Sequence, residues 1–462
     1  MKQHWIRTVL YIALTLLVPE YFAPVFAILA FAAAMREAKS SGNGIRVGTM
    51  VNPIFAVLII MGAGILWSQN KFSTFYTVLL WVSAIFIYMA FTTALTNRRR
   101  LEMAIFVITV AVSVNGIIAG IQFFLYSALN IDVSMSFWSG FDSWFLGLFK
   151  TSLPGTLTDR TSATFGNPNV FAESMVMLLP FGMYFACSHR KDPRHNICRV
   201  LVPLAVYGTL FSFSRGAYLA LIIILLMYAL FHIKKLKYVL IALVIVVLLI
   251  PSSVYTRFLS IDGVKEFLHG VLTDFSSHGT NYEGSLLDSL MNFFESAVSK
   301  GGVEESSRLR FDAWISTLRL IAERPIFGYG AGYVNIREII MDSGILIFHT
   351  HNFILQTLME GGVLLLAAFS WLIISVFKKG FLLIRRTSAP KLGLSMECFI
   401  IAFAVTGLTD LPLLTVKIMY SFAIALGLTE AAAGLYYERR PLTFWEASPL
   451  SAKLARKIQK KK

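Results

Sequence analysis

The chain has 462 residues, 56% of them hydrophobic and only 15% charged, with a mean hydropathy of +0.68. That balance excludes a soluble globular core and points to an all-α polytopic membrane protein, because runs rich in Leu, Ile, Val and Phe recur along nearly the whole length. The net charge of +15 invites a nucleic-acid reading. The basic residues instead fall in the pattern of a membrane topology, so the expected partner is a lipid bilayer and no nucleic acid.

A crossing helix needs roughly 20 apolar residues. In chain order the candidates are Trp5–Pro19, Tyr21–Met35, Val51–Trp67, Ser73–Leu95, Leu101–Leu125, Asn169–Cys187, Val200–Phe213, Gly216–Phe231, Leu236–Ile250, Phe353–Phe377, Leu394–Leu411 and Val416–Tyr436, about twelve transmembrane helices. Lys2 and Arg7 precede the first, and no small-residue cleavage site follows, so it reads as a retained helix. Lys and Arg concentrate in cytoplasmic loops. With both termini inside, the cytoplasmic segments carry Arg36, Lys39 and Arg46, the triplet Arg98 to Arg100, Arg190 to Arg199, Lys234 to Lys237, Lys378 to Lys391 and the Lys-rich tail. Merging the first two helices into one broken span would put the arginine triplet outside. The expected division is residues 1–250 for helices one to nine, 251–352 for an extracytoplasmic loop domain, 353–438 for helices ten to twelve, and 439–462 for a basic cytoplasmic tail. Cys187, Cys198 and Cys398 fall near predicted cytoplasmic ends and imply no disulfide framework.

Two outside loops are long. Residues 129–167 carry Phe137, Trp138, Phe141, Trp144, Phe145 and Phe149, a spacing that suits an interfacial helix. The 251–352 loop is expected to hold at least two helices. Leu286, Leu290, Phe293, Phe294 and Ala297 form the stripe of the first. The second runs from about Ser306 to Glu323, with Phe311, Trp314, Ile315, Leu318, Ile321 and Ala322 on its buried face. Pro325 stops it, and the glycines of Pro325-Ile326-Phe327-Gly328-Tyr329-Gly330 make a tight turn. No internal repeat is visible, which weakens a secondary-transporter reading.

Ionisable groups in or beside membrane helices are costly and mark candidate function. Arg215 interrupts the apolar run from Val200 to Phe231 where almost no loop is available. It is either a snorkelling arginine or an anion site, since a guanidinium binds phosphate bidentately. Arg308 can pair along its helix with Asp312 or Glu304, and Arg319 with Glu323. Arg310 has no acid at those spacings and is expected to point at something else. Arg324 ends the helix and would complement its dipole.

His349 and His351 stand one residue apart before the helix at Phe353. Two histidines without a nearby carboxylate or cysteine make a poor metal site, so no metal and no cofactor are expected. Either ring could be a buried structural histidine. His351 is nearer the first turn of the following helix, whose free N–H groups create positive potential. That environment suits the neutral ring a general base must be. Asn352 is a candidate helix cap. Glu360 lies about 13 Å along the same helix at 1.5 Å per residue and cannot orient His351. Glu173 and Asp410 are further acids in the outer half, for which a structural ion-pair role competes with a catalytic one.

Four separated motifs resemble the O-antigen ligase and polymerase superfamily, the Wzy_C-type membrane glycosyltransferases. They are Thr164-Phe165-Gly166-Asn167-Pro168-Asn169 with Ala172, Phe213-Ser214-Arg215-Gly216-Ala217, Arg310 with Trp314 followed by Arg324-Pro325 and the Gly328–Gly330 turn, and His351-Asn352-Phe353-Ile354-Leu355-Gln356 with Glu360-Gly361-Gly362. Together they cover about residues 160–375. The resemblance implies a metal-independent, inverting, GT-C-like transferase of the bacterial cytoplasmic (inner) membrane. Its donor would be a glycan on undecaprenyl diphosphate and its acceptor a hydroxyl of a glycan, lipid or protein. By motif position, Arg215 and Arg310 would hold the diphosphate and His351 would activate the acceptor. His349 has no fixed counterpart in the motif. Asn167 and Asn169 are expected to shape a turn. Ligase-type transfer is the first reading; a polymerase, a protein O-oligosaccharyltransferase and a non-enzymatic transporter of lipid-linked glycans are the alternatives.

Overall fold

The computed structural model describes residues 4–42, 44–129, 137–138, 160–187, 192–231, 305–342, 349–411, 413 and 415–437; between 305 and 312 the only side chain described is that of Arg310. The described residues form helices without a sheet. They are α1 (His4–Thr15), α2 (Ala23–Ser40), α3 (Val51–Ala63), α4 (Lys71–Ala94), α5 (Arg98–Leu129), α6 (Pro168–Ala186), α7 (Pro193–Leu210), α8 (Arg215–Phe231), α9 (Glu305–Glu323), α10 (Tyr333–Asp342), α11 (Phe353–Arg386), α12 (Pro390–Gly407) and α13 (Val416–Tyr436). Every predicted crossing except Leu236–Ile250 has its helix here. That segment, the aromatic residues 141–149, the predicted helix around Leu286–Ala297 and the tail lie outside the described residues.

Seven of the helices are long and apolar enough to cross a membrane: Glu20–Ser40, α4, α5, α6, α11, α12 and α13. With them, the chain is an integral membrane protein. Of the other predicted crossings, α1, α3 and α8 are shorter, and α7, with Arg194 and Arg199 in its 18 residues, is less apolar. At about 1.5 Å per residue, α1 spans only about 18 Å, short of the roughly 30 Å hydrocarbon core. The two N-terminal helices are separate. Pro19 and the 3-10 turn Glu20–Phe22 divide them.

Local chemistry sets the helix starts. Asn70, Asn167, Asp192 and Asn352 cap α4, α6, α7 and α11 by accepting orphan backbone N–H groups. α6 and α13 are the inner pillars. Val170 to Phe185 and Val416 to Ala433 are buried throughout, and α13 packs on α4, α5, α6 and α11. A helix apolar all round needs neighbours all round. On the perimeter Ile59, Leu219, Trp371, Ile374 and Phe377 are exposed, as lipid-facing side chains are.

One expectation changes. The segment after Phe353 is not one straight rod. Gly361 (φ −142°, ψ 17°) and Gly362 (φ 63°, ψ −161°) break α11 directly after Glu360. A break orphans carbonyls before it and amides after it. The glycine turn meets both. Tyr329 and Gly330 donate N–H groups to the carbonyls of Met359 (2.7 Å) and Glu360 (2.9 Å), and the Val363 N–H reaches the Pro325 carbonyl at 2.9 Å. Only glycine fits this contact: a Cβ on Gly362 would stand 2.2 Å from the Ile326 carbonyl oxygen, and one on Gly328 2.5 Å from that of Met359. The turn that ends α9 is thus bonded to the helix that follows His351. The buried face of α9 also differs: Ala313, Ile315 and Thr317 are buried while Ala322 is exposed. α10 was not anticipated.

Candidate active site

The site is built around the turn 408–411, between the end of α12 and the start of α13. Four elements converge on it. From the start of α11, His351 Nδ1 lies 3.3 Å from Asp410 Oδ1, and the Asn352 side chain both caps α11 and donates to the Leu408 carbonyl at 3.2 Å. From α9, Arg310 donates to the Thr409 carbonyl at 2.8 Å. From α6, Asn169 Nδ2 donates to Asp410 Oδ2 at 2.6 Å. From α8, Gly216 comes so close to Thr409 that a Cβ would stand 2.3 Å from its hydroxyl. That contact places Arg215, the first residue of α8, beside the same turn. Arg215 is exposed.

The Asp410 carboxyl is charged. Burial works against ionisation, but the hydrogen bond from His351 and the electrostatic influence of His351, His349 and Arg310 outweigh it, holding the group at about 2. The Leu411 N–H also donates to Oδ1, at 3.0 Å. An ionised carboxylate only accepts, so the hydrogen bond requires a proton on His351 Nδ1; in the neutral ring Nε2 is then the nitrogen with the lone pair. His351 adopts φ 47°, which costs a non-glycine residue roughly 1–3 kcal/mol. Its neighbours hold it there: Trp314 Nε1 donates to the Thr350 carbonyl at 2.7 Å, and the Thr350 hydroxyl donates to the Asn352 carbonyl at 2.9 Å.

His349 packs its ring against that of His351, with centroids 3.8 Å apart. Burial first, then the nearby positive charges of His351 and Arg310, lower it to about 4 against the pull of Asp410, so it is a neutral imidazole. With Asp410 within reach, the premise that no carboxylate stands near the histidines is overturned. His349, His351 and Asp410 place one ligand atom each within 4.8 Å of one another.

A chain of contacts extends behind Asp410. Arg160 donates to the Asn169 side-chain oxygen and, through Nε, to the Ser212 carbonyl at 2.7 Å. The first bond fixes which end of the Asn169 amide faces Asp410. On the far side of the turn, Lys417 is buried in α13. It donates to the Thr164 carbonyl and hydroxyl and lies 4.5 Å over the Phe165 ring. Thr164 in turn donates to Asn115 at 2.6 Å. The Thr164–Asn169 stretch is therefore more than a turn. Asn167 shapes the helix start, and Asn169 belongs to the site.

Glu360 does not reach His351. It accepts from Gln356 at 2.9 Å and lines a cavity of about 190 Å³ with Tyr76, Trp81, Tyr333, Gln356 and Leu411. Asp410 had been only one of several outer acids, and Arg160 and Lys417 were passed over. A lysine inside an apolar helix and an acid between two apolar helices were available as signals.

A helical membrane protein with a histidine–carboxylate pair and arginines at one end of its bundle is thus the class defined by fold and site. Residues 200–370 match the family model described as O-antigen ligase (Wzy_C), in agreement with the resemblance of the motifs. The match contains Arg215, Arg310 and His351; Asn169 precedes it and Asp410 follows it. No curated protein matches the chain.

Proposed function

We propose that the chain transfers a glycan from an undecaprenyl-diphosphate-linked donor to an acceptor hydroxyl on the extracytoplasmic face of the membrane, in ligase-type assembly of a cell-surface polysaccharide. The observation that carries this reading is the His351–Asp410 pair set against the same short turn as Arg310 and the start of α8. The domain match supports glycan assembly, and its description favours ligase over polymerase.

The chemistry follows from the geometry. His351 Nε2 accepts the acceptor's hydroxyl proton as its oxygen attacks the anomeric carbon from the face opposite the diphosphate. The C–O bond to the lipid diphosphate breaks in the same displacement, and the configuration inverts. Asp410 holds the ring through Nδ1–H and stabilises the imidazolium that forms, as the carboxylate of a catalytic triad does. Arg310 is held by a carbonyl, which orients it without cancelling its charge. Arg310 and Arg215 take up the developing charge on the diphosphate, the work a metal does elsewhere. Base catalysis of this kind supplies roughly 10²–10⁴-fold.

The topology belongs to the proposal. Arg98, Arg100, Arg194 and Arg385 stand at the bundle end opposite the site, where the charge rule puts the cytoplasm. The test is transfer by purified protein with purified donor and acceptor. His351→Ala is expected to lose roughly 10²–10⁴-fold while keeping its fold, and chelator is expected to leave wild type active. Transfer by His351→Ala at the wild-type rate would overturn the mechanism. Movement of donor across liposomes without transfer would make the protein a transporter.

A further inference from the structure

We infer that His349, His351 and Asp410 form an inhibitory binding site for a borderline-soft divalent cation of the Zn²⁺ type. The spacing fits. His351 Nδ1 and Asp410 Oδ1 are 3.3 Å apart, about the edge of a tetrahedron with metal–ligand bonds of roughly 2.0–2.1 Å. A ring nitrogen of His349 lies within 4.8 Å of the other two ligand atoms, so the three groups converge on one point. A second observation points the same way: His349 Nδ1 is buried and has no hydrogen-bond partner among the described residues. A buried ring nitrogen left without a partner forfeits roughly 1–3 kcal/mol, which a metal bond would recover.

The surroundings resemble the support a metal site needs. Asn169 at 2.6 Å and the Leu411 N–H at 3.0 Å orient the carboxylate, as outer partners orient metal ligands. Two imidazoles and one carboxylate select a zinc-like ion over Mg²⁺, which prefers oxygen ligands. Arg310 opposes binding, since its charge is felt at His349 and Asp410. The site would therefore be reversible.

Occupancy and catalysis are exclusive. A cation bound to Nδ1 and to Asp410 replaces the hydrogen bond between them, and the single proton of the neutral ring then sits on Nε2. The nitrogen that would accept the acceptor's proton is then already protonated. This consequence rests on the proposed base role of His351; the binding itself does not.

The experiment separates the two. Full-length protein in detergent is titrated with Co²⁺, whose visible d–d absorption reports tetrahedral coordination, and Zn²⁺ is added to displace it. Wild type is expected to bind one equivalent. His349→Ala and Asp410→Asn each remove a direct ligand and are expected to bind more than roughly 10–100-fold more weakly, the loss that removing an outer partner alone causes. Absence of a tetrahedral spectrum, or wild-type affinity in His349→Ala, overturns the site. In the transfer assay, Zn²⁺ is expected to inhibit wild type and chelator to restore it, while the activity that His349→Ala retains resists the same Zn²⁺. If the cation binds and transfer continues undiminished, the binding site stands, but its inhibitory assignment and the base role of His351 on which that rests both fail. If chelator abolishes activity and Zn²⁺ restores it, the inhibitory assignment is overturned.

Discussion

The two ends of the helix bundle treat charge in opposite ways. At the end away from the site, several charges meet opposite charges. Lys379 and Glu430, both almost fully buried, pair at 3.0 Å. Glu430 also accepts from the Thr49 and Met50 amides and the Tyr88 hydroxyl. Arg100 pairs with Glu37 at 2.7 Å, and Arg98 with Glu102 at 2.9 Å. At the site end Arg310 donates to the Thr409 backbone carbonyl, and Arg160 and Lys417 also donate to backbone carbonyls. A carbonyl aims a cation but does not neutralise it. The first arrangement stabilises a fold; the second aims the Arg310 charge at the turn that carries Asp410.

Substitutions at the two ends should therefore fail differently. The largest effect is expected from Glu430→Gln, which strands Lys379 in the interior. Breaking a buried pair costs roughly 3–5 kcal/mol, read as faster thermal inactivation in detergent; unchanged inactivation would erase the contrast. Asp410→Asn should act on catalysis instead, lowering kcat on the order of 10²-fold with the donor KM little changed, because the amide cannot hold the Nδ1 proton as the carboxylate does. Equal loss in Asp410→Asn of stability and rate would make Asp410 a structural acid. Arg310→Lys should weaken donor binding about tenfold, the loss of one charge-assisted hydrogen bond of roughly 1.5 kcal/mol, with thermal stability nearly unchanged. Asn352→Ala is the smallest, about 1 kcal/mol for a lost cap, visible as fraying at the start of α11 in hydrogen exchange.

The glycine turn gives the comparison its mechanical basis. Because Tyr329, Gly330 and Val363 bond the turn to the broken helix, α9 and the segment bearing His351 are fastened to each other. A Gly328→Ala variant should loosen that joint, since it adds both a strained φ and a clash with the Met359 carbonyl.

Much of this was legible along the chain. Apolar runs and arginine placement define the helices, because crossing a bilayer constrains composition directly. Asparagine before an apolar run marks the starts of α6 and α11, because capping is local. An arginine without an acid one turn away, Arg310, marked itself as reaching elsewhere. What sequence could not supply was the meeting of groups far apart in the chain. Asp410 became the partner of His351 only because α12 ends where α11 begins; Asn169 joined them because α6 starts at the same level. The break at Gly361–Gly362 was written as two glycines, but its reason, the Pro325–Gly330 backbone filling the gap, is a contact between segments. Sequence by itself determined which residues carry charge, cap helices and cross the membrane, since those are properties of neighbours. Tertiary structure alone decided that a carboxylate stands beside His351 and that Arg310 is held by a carbonyl, because hydrogen bonds act over about 3 Å and only packing brings those atoms within it.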